Sequence, residues 1–355
     1  MEVINQPTPQ VGPGSAVIRV LVAGVLSYSD QIYTGRRPYP FPTPLVPGTS
    51  AIGRVAALGL DSTMLQEGQL VFFDSFISGR DDPTSIILSG IFSGVTPGSN
   101  KLMEGEWRNS TYAEYAKVPL ENCFTLNEEI LLGKPSDGGL GYEMSDLKYL
   151  GTLLVPLGGL RDVNLRAGER VVITPATGSF GSAAVLVALA MGAQVIAMGR
   201  DLEALEKVKA LGPDGRVEIV QNTGDVAADI KTLTRKGPLD VFYDISPDTA
   251  AESTHFTSCI QSLRRGGRAS LMGAPKEVML PTSIMMRNDI TVKGKWMFTK
   301  DDVGFMIKLA EAGFLKLGQA GGIQTAGTFT LEQFAEAFDT AAKTKGPCTQ
   351  TVIIP

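Results

Sequence analysis

The sequence predicts an α/β protein in which a doubly wound parallel sheet is inserted within a β-rich domain. From residue 170 onward, short apolar strands alternate with segments whose apolar residues recur at helical spacing, the pattern of strand-helix-strand units. Before residue 79 the apolar runs are short and separated by Gly and Pro clusters, as in a small antiparallel barrel or sandwich. After residue 290 the alternation changes again. Residues 1–150 and 297–355 are therefore assigned to the β-rich, substrate-binding domain and 151–296 to the parallel-sheet domain.

In chain order, 16–23, 51–58 and 69–76 read as β-strands. Residues 79–111 are rich in Gly, Ser, Pro and Asn with little periodicity, so a long surface excursion is expected there, of the kind that often shapes a substrate site. A helix is expected over 144–161. The strands of the second domain are 170–175, 194–198, 217–220, 239–245 and 268–272, with a helix over 201–211 between them. The chain then offers a strand ITVKGKWMF, helices near 301–314 and 331–343, and a closing strand QTVIIP.

The 355 residues are 43% apolar and 19% charged, with 32 Lys+Arg against 37 Asp+Glu, a globular composition with no basic run to follow a phosphate backbone. Nucleic acid is not expected as a partner. The first residues lack a basic start followed by an apolar stretch, and the longest apolar segments are short and interrupted by Gly, so neither a leader peptide nor a membrane span is expected. A cytoplasmic protein follows. Cys123, Cys259 and Cys348 are odd in number and far apart, which suggests buried thiols rather than disulfides or a zinc knuckle.

The segment VVITPATGSFGSAAVLVALAMGAQVIAMGR orders a buried strand, a Gly-bearing turn, a helix and a second strand, the context of a dinucleotide fingerprint. The turn reads Ala176-Thr177-Gly178-Ser179-Phe180-Gly181. Gly178 would let the backbone approach a pyrophosphate, Gly181 would let helix and strand pack closely, and the helix N-terminus would supply free N–H groups. Ala176 stands where a first glycine is usual. Asp244 and Gly273, at later strand ends, complete the expected cofactor-binding set. At the end of the second strand, Gly199 removes a carboxylate that would repel a 2′-phosphate, and the Arg200 guanidinium beside it suits phosphate. NADPH is favoured over NADH, although Arg200 could instead be a solvated residue paired with Asp201 or Glu203.

These residues, with VLVAGVLSYSDQIYTG, PLVPGTSAIGRV and TYAEYAKVP before them and ITVKGKWMF and FTLEQFAEAFDTA after, resemble the medium-chain dehydrogenase/reductase superfamily along nearly the whole chain. The resemblance implies a GroES-like catalytic domain joined to a Rossmann cofactor domain. It also implies where a catalytic zinc would be held: Cys-x-Ser/Thr-Asp in the first segment and Gly-His-Glu in the second. Here Ser27-Tyr28-Ser29-Asp30 and Gly48-Thr49-Ser50 occupy those places, and hydroxyls are poor ligands for zinc. The single histidine, His255, lies in the cofactor half and reads as a packed or helix-surface residue. No cysteine falls within 79–111, so neither a catalytic nor a structural zinc is expected. Val-Pro-Gly-Thr at 46–49 resembles the zinc-free quinone and enoyl reductase branches.

Reduction of a conjugated C=C suits a metal-free site, because the negative charge can spread onto an enolate oxygen held by hydrogen-bond donors. Tyr39 is the proton-donor candidate implied by the resemblance to enoyl reductases, with Ser27 and Thr49 as further catalytic candidates. Arg36 and Arg37 could recognise an anionic arm, so the substrate could be a carrier-bound thioester. Trp107, Trp296 and Met297 read as core or as walls of a pocket or dimer contact. A C=O reductase with Ser27, Thr49 or Tyr39 replacing the metal remains an alternative, as do a cofactor-binding relative with little chemistry and a scaffold recruited to a non-redox step. A homodimer through ITVKGKWMF is expected from family habit and from the pairing tendency of an edge strand.

Overall fold

The computed structural model describes the whole chain, Met1–Pro355. Its second half holds a six-stranded, wholly parallel sheet. The strands run in the spatial order Val217–Gln221, Gln194–Gly199, Arg170–Thr174, Leu239–Asp244, Leu263–Leu271, Thr291–Gly294. The order reverses between Arg170–Thr174 and Leu239–Asp244, and the crevice beyond the carboxyl ends of those strands is where such sheets take ligands. The strands are near-continuous apolar runs because helices cover both faces. Val171, Ile173, Val195 and Ala197 face one core, and Val172, Ile196, Met198 and Phe242 face the other.

The remaining strands form a mostly antiparallel seven-stranded sheet. Ser15–Val25 is its centre, pairing with Ala51–Leu58, Tyr115–Pro119 and Thr349–Ile353. Ala51–Leu58 leads on to Leu70–Phe73 and Cys123–Thr125, while Gln324–Phe329 adds beside Thr349–Ile353 in the one parallel pairing. The architecture is a GroES-like sheet domain with a Rossmann-type domain inserted in it. No helix is long and apolar enough to cross a membrane.

Residues 79–111, expected as a surface excursion, instead fold back into the β-rich core. Ile86–Leu88 pairs with Phe76–Ser78, and a helix spans Pro97–Glu104. Ile87, Ile91, Met103 and Trp107 are buried against the barrel strands. The segment clamps the Val46–Thr49 turn: a Cβ at Gly90 would strike the Gly48 backbone, and Gly48 itself, at φ 149°, lies flat against Thr111. The expected helix over 144–161 is two helices, Met144–Lys148 and Leu150–Asp162, bent at Tyr149. The strand expected over 290–298 is confined to Thr291–Gly294, and Met297 lies at positive φ beyond it.

Candidate active site

The turn after Arg170–Thr174 begins with the Ala176 N–H donating to the Met198 carbonyl at 2.9 Å. That bond ties the turn to the second strand, and Ala176 is fully buried there. Gly178 is the N-cap of the helix Ser179–Ala190 and has open space where a Cβ would stand. A Cβ at Gly181 would overlap the Pro175 carbonyl, so only glycine allows this close seat of helix on strand. The first N–H groups of the helix have no partner within it and point into the crevice mouth with the positive end of the dipole. Thr177 closes over Gly199, its Cγ2 lying 3.3 Å from where a Cβ would be. The cradle therefore fits a dinucleotide pyrophosphate.

Arg200 is exposed and forms no ion pair. Asp201 caps the next helix through the Ala204 N–H at 3.1 Å, and Glu203 pairs with Lys207 at 2.9 Å. The pairing of Arg200 with either acid, weighed from the sequence, does not occur. Asp244 is buried and Gly273 half-buried, and the two pack against each other at their strand ends. Asp244 is 1% exposed. Its Oδ1 accepts from the Ser246 hydroxyl at 2.5 Å and lies 3.1 Å from His255 Nε2. A Cβ at Gly273 would overlap that carboxylate. His255, 3% exposed, sits between Asp244 and the Ser253 hydroxyl, 2.6 Å from Nδ1, and is a packed residue.

A cleft runs between this helix N-terminus and the β-rich domain. It is lined by Ser179 and Phe180 from the fingerprint, Val25 to Tyr28 from the first strand's exit, Lys148 and Thr152 from the bent helix pair, and Thr349 to Thr351. The Cys348 N–H donates to Ser182 Oγ at 2.8 Å, fastening the closing strand to the fingerprint helix.

Ser27 opens into the cleft, but Thr49 does not. The Thr49 hydroxyl is buried and donates to the Gly24 carbonyl at 2.8 Å, an oxygen that also accepts from Tyr112 Oη at 2.9 Å. Tyr39 stands outside the residues that line the cleft. Its ring packs on Phe92, with centroids 5.2 Å apart, and its hydroxyl accepts from Arg37 at 3.3 Å. Arg37 lies between the Tyr39 and Tyr28 rings, 4.9 and 4.2 Å from their centroids. Burial pushes the Tyr28 phenol up to about 12. Arg36 is paired with Asp30. Trp107 belongs to the core, whereas Trp296 is 47% exposed and meets Phe76 and Phe92 edge-on.

Sequence reasoning missed Lys148. Its side chain is 4% exposed, lies directly over Gly24 and makes no hydrogen bond or ion pair. Burial pulls its ammonium down to about 8. The signal was present: a lysine set between Leu147 and Tyr149 in a helix that turns inward.

Hydroxyls, poor donors for zinc, stand where the resemblance implies its ligands. The positions implied for its ligands hold the Ser27 hydroxyl and a Thr49 hydroxyl already committed to Gly24, and no three His, Cys, Asp or Glu side chains are grouped to bind a metal.

A family model described as "Alcohol dehydrogenase GroES-like domain" matches residues 12–128, and one described as "Zinc-binding dehydrogenase" matches 180–312. L-threonine 3-dehydrogenase of Cutibacterium acnes is 24% identical over 360 residues, covering 98% of this chain and 93% of that protein. Sorbitol dehydrogenase of Bacillus subtilis is 23% identical over 361 residues, covering 98% and 92%. Among solved structures, alcohol dehydrogenase TADH from Thermus sp. ATN1 superposes with a TM-score of 0.77 at 20% identity, covering 99% and 95%. A short chain alcohol dehydrogenase from E. coli CFT073, complexed with cofactor NADH, superposes at 0.76 with 17% identity, covering 100% and 96%. With the crevice, the fingerprint cradle and both domain matches in place, the chain belongs to the medium-chain dehydrogenase/reductase superfamily and is an oxidoreductase of that nicotinamide-cofactor-binding family.

Proposed function

We propose that this chain is an NADPH-dependent reductase that works without zinc and reduces a conjugated C=C in an enone, quinone or enoyl thioester. The observation that carries the reading is the donor set described above, hydroxyls where this superfamily's metal enzymes place thiolate and imidazole. The cofactor, when bound, supplies a hydride. The Ser179, Phe180 and Gly181 N–H groups hold its pyrophosphate, Gly178 allows the close approach, and unpaired Arg200 receives the 2′-phosphate. Ser27 and Tyr28 face the cleft where the acceptor enters. Arg37, stacked between Tyr39 and the cleft-lining Tyr28, would meet an anionic substrate arm such as that of a carrier-bound thioester.

A second reading, reduction of a C=O, is favoured by relatives that are alcohol, sorbitol and threonine dehydrogenases. Product analysis separates the two. The test is fluorescence titration with NADPH and NADH, followed by reduced-cofactor absorbance with enones, quinones, enoyl thioesters and simple ketones. NADPH binding at least tenfold tighter than NADH, with oxidation by enones, supports the proposal. Turnover of ketones alone supports the second reading, and Arg200→Gln should remove the NADPH preference while leaving NADH binding unchanged. A homodimer is proposed through Thr291–Gly294, which ends the parallel sheet with one edge unpaired; a monomer in light scattering would overturn it.

A further inference from the structure

A buried charge with no counter-ion is costly, and burial of a lysine is normally relieved by a carboxylate or by hydrogen bonds. Lys148 has neither. Its ammonium stem fills the space over Gly24, where a Cβ would overlap Cε and Nζ. The carbonyl of that same glycine takes the Thr49 hydroxyl, and Ser27 and Lys148 line one cleft. Of the two positions where the resemblance implies metal ligands, Thr49 is thus bonded to the glycine that Lys148 covers, and Ser27 shares the cleft with Lys148. No carboxylate lines the cleft, and its only other charged side chain is the exposed Lys345.

The geometry points to Lys148 as the catalytic cation of this site, donating a hydrogen bond to the substrate's carbonyl oxygen and holding the negative charge that forms on it during reduction. The inference rests on the reductase reading above. In the step, the hydride's electron pair becomes the new C–H bond at the β-carbon. The C=C pair moves into the enolate, whose oxygen faces the ammonium, and a proton from water closes the α-carbon. The substrate gains two electrons and two hydrogens, and the nicotinamide is oxidised by the same two electrons. A fixed donor at such an oxygen is worth about 10²–10³ in rate. Burial strengthens the effect, because few water dipoles compete. The pull of burial on the ammonium, down to about 8, leaves most of the population charged at neutral pH.

The experiment pairs Lys148→Met, which fills the space without charge, with Lys148→Arg. Circular dichroism and NADPH affinity serve as controls for folding. Lys148→Met should lower kcat/KM for an enone by about 10²–10³ with the NADPH dissociation constant within twofold, and Lys148→Arg should recover part of the loss. A second readout needs no turnover: 4-nitrophenol, whose phenolate mimics an enolate and whose absorbance reports ionisation, is titrated into the NADP⁺-loaded protein. Wild type should bind the phenolate at least tenfold more tightly than Lys148→Met. Equal phenolate binding, or none to wild type, overturns the proposal. So does a rise in the NADPH dissociation constant with kcat unchanged, which would make Lys148 a cofactor-phosphate ligand. If wild type reduces no acceptor, the reductase reading falls while the phenolate titration still decides the lysine.

Discussion

Two buried polar regions of the molecule contrast. At the end of Leu239–Asp244, the Asp244 carboxylate, the His255 imidazole and the hydroxyls of Ser246 and Ser253 satisfy one another within 3.1 Å. At the cleft, Lys148 is 4% exposed, reaches the cleft surface and makes no bond. A closed network rigidifies the loop that carries it, whereas an open charge lowers stability and persists where something from outside will use it. Between the two stands Asp74, buried with one bond, its Oδ1 accepting from the Phe76 N–H at 2.8 Å. Burial raises it to about 7 against that N–H and the Lys300 charge.

The sharpest break of the contrast is His255→Ala. It uncovers Asp244 and removes ring packing against Phe256 and Phe242. A loss of about 4–5 kcal/mol in urea unfolding is expected; a loss under 1 kcal/mol would show that the network is not a stabilising one.

Asp74→Asn tests the intermediate case. The folded-state pKa lies above the unfolded one, so the native carboxyl keeps its proton where the unfolded chain has lost it, and stability falls as pH rises from about 4 to about 7. The variant escapes that loss. It should match wild type near pH 4 and exceed it by about 4 kcal/mol at pH 8, read as denaturation midpoints at the two pH values.

Lys148→Met should do the reverse of the first variant and stabilise. The native ammonium titrates near 8, below its unfolded value of 10.5, so its cost is fully present below pH 8 and disappears as pH rises through 10. A gain of about 3 kcal/mol at pH 7, vanishing near pH 11, is expected alongside the loss of catalysis. The smallest effect is expected away from both regions. Thr96→Ala removes the N-cap bond from the Ser99 N–H at 3.0 Å, for about 1 kcal/mol.

What the sequence made legible follows the range of the forces involved. The fingerprint turn is local: Gly178 and Gly181 are dictated by a strand, a turn and a helix within residues 170–190, and the structure seats them in that geometry. Asp244 and Gly273 were visible as strand ends, but the contact between them joins two different strands, and the Asp244 bonds to Ser246 and His255 depend on how the intervening loop closes. Lys148 carried only a weak sign, its apolar neighbours Leu147 and Tyr149, because its burial comes from a distant contact with the first strand's Gly24. The 79–111 segment was misread because its polar composition hid a strong local sign, Thr96-Pro97 as N-cap and first helical residue. Its serines are buried through bonds such as the one from the Ile86 N–H to Ser99 Oγ at 2.9 Å, not exposed to water. Tyr39, named by resemblance, was drawn off toward Phe92 and Arg37 by aromatic and cation–π attraction.

The pairing of Ala23 with Ile353 sets an order of assembly. The parallel sheet draws all its strands from one uninterrupted stretch, 170–294, and can form as soon as that stretch has left the ribosome. The central strand of the other sheet must wait for a neighbour from the far end of the chain, a contact of very high sequence separation and therefore slow to close. The cradle for the nucleotide can therefore be complete while the sheet that faces it still lacks Thr349–Ile353.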